Sequence, residues 1–74
     1  MTELRISGWR PGMRKLSLTS LLRERLGLSL RDAKAAVDLV LEGREAHLHV
    51  PDEADCERLI AEIADLGAIA ELKS

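Results

Sequence analysis

His47 and His49 are the residues whose type and spacing come nearest to metal chemistry. Two apart on an extended segment, their rings point to the same side, where imidazoles could hold a metal ion. A site needs at least a third ligand, and Glu45 on the same face is the near candidate. The plainer alternative, two exposed histidines on the open side of a half-solvated sheet, is the one adopted, so no metal is expected. Cys56 would serve as a nucleophile only with a base beside it. It stands four residues before Ile60 and seven before Ile63, which puts it on the apolar side of a helix as a buried structural thiol. Gly8 and Gly12 flank Trp9 and Pro11 with no Lys-Ser or Lys-Thr pair after them, so there is no phosphate loop, and no serine sits in a nucleophile elbow. Asp52, Glu53, Asp55 and Glu57 read as dipole partners at a helix start and as a solvated face. A non-enzyme without cofactor is expected.

What remains is a surface. Leu16, Thr19, Ser20 and Arg23 recur at i, i+3, i+4 and i+7, a helical stripe distinct from Leu18, Leu22 and Leu26, and Lys15 adjoins it. Arg31 and Lys34, three apart, share a face of the next helix. Together these residues read as a basic patch with a small apolar centre, suited to an acidic protein partner. The competing reading is an ordinary surface covered by long basic side chains. Residues 1–34 carry eight basic against three acidic groups, net +5, whereas residues 35–74 carry three against ten, net −7. Such asymmetry suggests a basic and an acidic side if the fold keeps the halves apart, or serves solubility alone. Nucleic acid is not the expected partner, because base stacking wants several aromatic side chains and Trp9 stands alone.

The elements that must position this patch follow from periodicity. Thr2 to Ser7 alternates as a half-buried strand with Leu4 and Ile6 inward, broken by Gly8 to Gly12. Leu18, Leu21, Leu22 and Leu26 make a helix that ends at Gly27. Ser29 caps a second helix whose stripe is Leu30, Ala33, Ala36, Val37, Val40 and Leu41, stopping at Gly43. Only Gly27-Leu28-Ser29 joins the two helices, so they pack as neighbours through a tight bend in which Gly27 is the structural turn. Glu45 to Val50 alternates again. Asp52, with Asp55 as its partner, is expected to cap a third helix buried through Cys56, Leu59, Ile60, Ile63 and Leu66, and Ala68 to Lys73 is the last strand. The 74 residues allow one domain, 1–74, of the α+β class. It is expected to be a two-layer sandwich of strand-helix-helix-strand-helix-strand order, three helices on one face of a three-stranded sheet. No apolar run is long enough to span a bilayer, no leader opens the chain, and one cysteine forms no internal disulfide. A cytoplasmic protein with no membrane association is expected.

The segment Gly27-Leu28-Ser29-Leu30-Arg31-Asp32-Ala33-Lys34, with Val37 after it, resembles the signature of the C-terminal domain of the bacterial ribosomal stalk protein, where Gly-Leu-x-Leu-Lys-Glu-Ala-Lys is typical. The resemblance extends from the strand at Leu4 through Leu66-Gly67-Ala68 to the closing strand. It implies the same element order and a face of the first two helices that contacts translational GTPases such as elongation factors. On that resemblance Lys15, Arg23 and Lys34 match basic family positions and Leu16 an apolar one. Thr19 departs from a larger apolar residue and Ser20 from a lysine, which weakens the implied contact. The chain shows neither the N-terminal dimerisation segment nor the Ala-rich hinge of that family, and Trp9-Arg10-Pro11 is foreign to its loop. A stand-alone relative is therefore expected, either binding a translational GTPase or acting as an interaction or regulatory domain away from the ribosome. The adaptor that delivers N-degron substrates to the Clp protease shares the fold, but Ser7 to Pro11 is basic where that family is acidic.

Overall fold

The computed structural model describes residues 2–51 and 55–73. The order is β1 (Thr2–Trp9), α1 (Lys15–Leu26), α2 (Leu30–Leu41), β2 (Ala46–Val50), α3 (Cys56–Asp65) and β3 (Ala68–Lys73). The sheet runs β2-β1-β3, with β1 antiparallel to both neighbours. β2 and β3 are therefore parallel to each other, and α3 is the crossover that carries the chain between them over β1. A right-twisted sheet favours one hand for such a crossover and so fixes the side on which the helix lands. α2 packs on β1 and β2, α3 on β3, and α1 lies against α2 and α3. The fold is the expected two-layer α+β sandwich.

Alternation decides what each sheet face does. Leu4 and Ile6 from β1, Ala46 and Val50 from β2, and Ala68 from β3 are buried beneath the helices. The opposite face is charged: Arg5 stands between its cross-strand partners His47 and Glu71, and its guanidinium pairs with Glu71 and reaches Glu45 at 3.9 Å. A sheet with one wet face needs no second helical layer.

The expected ends of several elements move. β1 continues to Trp9 because a bulge between Ile6 and Gly8 absorbs one residue, so Gly8 pairs with Ile69 and Trp9 with Ala68. The segment after it is stitched to the α3–β3 turn by Arg10 N–H to Gly67 O at 2.8 Å and Arg14 N–H to Leu66 O at 2.9 Å. A Cβ on Gly67 would lie 2.9 Å from the Met13 Cα, and its φ of +93° is left-handed. That turn is closed to any other residue on both counts. Leu30, expected in the buried stripe of α2, is 55% exposed, because as the first helical residue it overhangs the end of the core. Leu28, just before it, packs on the core instead. Ser29 caps α2 as expected, its Oγ accepting the Asp32 N–H at 3.1 Å. Asp52 lies outside the described residues. Asp55 is itself the cap of α3, accepting the Arg58 N–H at 3.1 Å. Cys56 is half-buried against the core rather than fully enclosed, since it opens the helix.

Candidate functional site

α1 is built around Leu18, Leu21, Leu22 and Leu26, which point into the core. Its other side carries Leu16 at 78% exposure, the most exposed of the large apolar side chains described. Ser20 and Arg23 follow at one- and two-turn spacing and are also exposed. Thr19 departs from expectation: it is 9% exposed, and its hydroxyl donates to the Lys15 carbonyl at 2.9 Å. A hydroxyl satisfied one turn back can sit at the buried edge of a helix without a partner elsewhere. Thr19 therefore supports the face from beneath and does not belong to its surface. The inference from spacing failed because position i+3 from Leu16 falls toward the packed flank of α1.

The bend that brings α2 alongside is made by Gly27. Its φ of 68° and ψ of 23° are left-handed, and its N–H bonds to the Arg23 carbonyl at 3.1 Å, closing the helix. On α2, Arg31 and Lys34 are both exposed, as expected. Ser20, Arg23, Glu24, Gly27 and Leu28 line a shallow hollow of about 390 Å³ at the bend. Leu16 and Ser20, by contrast, line a groove toward α3. The sequence-derived patch thus straddles α1 instead of filling one α1–α2 surface.

Charge separation is partial. Two cations of the first half are paired with acids of the second: Arg5 with Glu45 and Glu71, and Arg25 with Glu62 at 3.1 Å. The Glu62 hydrogen bond first, and then its charge, hold the Arg25 guanidinium above the ordinary arginine range. Arg10, Arg14, Lys15, Arg23, Arg31 and Lys34 are exposed and form no ion pair with a described residue. Arg14 also occupies the N-cap of α1 with no side-chain cap, and no acid stands in the first turn. Cations here oppose the positive end of the helix dipole.

The other candidates hold no comparable arrangement. On the open sheet face the His47 Nδ1 meets Glu3, and its Nε2 lies 3.3 Å from Glu45. The two ring nitrogens are thereby directed at different carboxylates, which is a hydrogen-bonding geometry and not a shared ligand sphere. Among the described residues no group of three or more His, Cys, Asp or Glu side chains is arranged to hold a metal ion. No helix of the described residues is long and apolar enough to cross a membrane. Sequence reasoning missed Glu24, Asp65 and Leu66, which join Leu16 in the groove between α1 and α3. Their only signal was spacing within each helix, and which helices face each other is decided by the tertiary fold.

Over 62 residues the chain is 36% identical to the large ribosomal subunit protein bL12 of Chloroherpeton thalassium. The chain is similar to bL12. The match covers 84% of this chain but 46% of that bL12, so the chain spans about half the length of the relative. A span of 62 residues within 74 necessarily contains residues 13–62, hence α1, the Gly27 bend, α2 and β2. The likeness to bL12 therefore includes the helices that carry Lys15, Leu16, Arg23, Arg31 and Lys34. No family model matches the chain.

Proposed function

We propose that this chain is a non-enzymatic protein-binding module, a single domain resembling the C-terminal domain of the ribosomal stalk protein. It docks an acidic surface of a translational GTPase against the outer side of α1 and the start of α2. The observation that carries this reading is Leu16, exposed at 78% on the ridge of α1, next to Lys15 and two turns before Arg23, cations that pair with no described acid. An apolar side chain on a charged rim is the usual make-up of a protein-binding surface. Leu16 supplies the desolvated contact, while Lys15, Arg23, Arg31 and Lys34 steer the encounter and set its salt dependence. Thr19 and Gly27 hold the two helices in place. The similarity to bL12 over both helices supports the choice of partner class.

The test is capture of interacting proteins from a bacterial lysate on the immobilised chain, beside a Leu16→Ala control. Translation factors retained by the wild type and lost from the control are expected. Retention of unrelated proteins alone would replace this reading with that of an interaction or regulatory domain acting away from the ribosome.

A further inference from the structure

The flank of α1 that faces α3 has the opposite electrostatic character. Leu16, Leu21 and Leu66 contribute the apolar part of a groove of about 510 Å³, and Ser17 and Ser20 stand beside them. Glu24 from α1 and Glu62 and Asp65 from α3 complete its wall, and no cation lines it. Glu24 and Asp65 form no ion pair with a described residue. Glu62 is only half committed. Its Oε2 takes the Arg25 guanidinium, whereas its Oε1 is buried, lies 3.8 Å from the Arg58 Nε and accepts no hydrogen bond. Arg25 and Arg58 lie toward the next hollow along the α1–α3 seam, together with Glu24, Asp55 and Glu62. The seam thus has one end where arginines and acids are mixed and one acidic, leucine-lined end.

We propose that this acidic end is a second docking site, which takes a basic amphipathic segment of a partner protein: an apolar side chain flanked by lysines or arginines. The apolar side chain would rest against Leu16, Leu21 and Leu66. The flanking cations would meet Asp65, which pairs with no described cation, and Glu24, whose charge acts on the neighbouring Arg25, and offer a donor at Glu62. Like charges on both helices repel across an empty groove, and a cation between them removes that repulsion. This site goes beyond the proposed GTPase-docking face and shares with it the ridge residues Leu16, Ser20 and Glu24. α1 would then separate two binding surfaces of opposite sign.

The experiment is a nitrogen-15 NMR titration of the chain with a short amphipathic leucine–lysine peptide, repeated with a peptide carrying glutamate for lysine. Salt-dependent shifts confined to residues 16–24 and 62–66 are expected for the lysine peptide. No shifts of these residues are expected for the glutamate peptide. Combining Glu24→Lys with Asp65→Lys should weaken binding about tenfold, while reversal of Arg23 and Lys34 should not weaken it. The milder pair Glu24→Gln and Asp65→Asn, which preserves shape, should give a smaller loss in the same direction and guards against misfolding of the reversed protein. Affinity indifferent to both pairs, or shifts centred on Glu45 and Glu71 of the sheet, would overturn the proposal. Self-association of the chain through residues 16–24 and 62–66, read by sedimentation, would overturn it in favour of a second copy as occupant.

Discussion

Replacement of Gly27 isolates a backbone requirement from any question of space. Its φ is +68°, yet a Cβ built there would have no heavy atom within 4 Å. A side chain at this position is strained only by its own backbone. For alanine the left-handed conformation costs about 1–2 kcal/mol. The loss of glycine's freedom in the unfolded chain returns about 0.4–1 kcal/mol of that. The net destabilisation by Gly27→Ala is therefore about 1 kcal/mol, which in a domain of this size lowers Tm by about 4–8 °C. Gly27→Asn should cost less, because asparagine tolerates this conformation, and Gly27→Val more, up to about 3 kcal/mol, because a β-branched side chain does not. Urea unfolding followed by circular dichroism reads the series. The order Gly, Asn, Ala, Val is the expected result. A Val variant as stable as the wild type, or an Asn variant no better than Ala, would show that the bend does not depend on a left-handed residue.

Three further outcomes follow from the same geometry. Gly67→Ala should destabilise more than Gly27→Ala, since there the new Cβ meets the Met13 Cα at 2.9 Å in addition to the strained φ, and the same urea series would rank the two. Lys15→Glu should raise stability by about 0.3–1 kcal/mol, by placing an acid in the first turn of α1, and weaken GTPase binding at the same time, read by calorimetric melting beside a binding isotherm. Reversing Arg23 and Lys34 to Glu together should slow association with an acidic partner and flatten its salt dependence without changing Tm; stopped-flow rates across a salt series would check it.

The elements were legible where hydropathy and burial agree. α2 and α3 each carry one apolar stripe, and in both the buried residues fall on it. Ser29 and Asp55 close their starts with the capping hydrogen bonds that short polar side chains make. β2 alternates without interruption. β1 was cut short because a bulge shifts the alternation by one residue, and nothing local to Ser7-Gly8-Trp9 distinguishes a bulged strand from a strand end. Of the proposed docking face, the exposure of its cations and of Leu16 was legible. Its shape was not, because Thr19 turns inward and Leu16 borders α3, and both facts depend on how α1 is rotated between its two neighbours.

The departures from local stability rules converge on one helix. α2 and α3 have side-chain caps and an acid in the first turn, whereas α1 has an arginine at its cap, a lysine after it and no acid. α1 also buries Thr19 and exposes Leu16, although α2 likewise exposes Leu30. The missing side-chain cap alone costs the fold something on the order of 1 kcal/mol in a domain with little to spare. The Thr19 hydroxyl is satisfied by the Lys15 carbonyl and the Arg14 N–H by the Leu66 carbonyl. Departures gathered on one element accord with the docking role proposed for α1. On the proposed reading α1 is the helix both docking surfaces share, with the exposed cations of α2 on one flank and the acids of α3 on the other. The sheet's role is to hold the three in register.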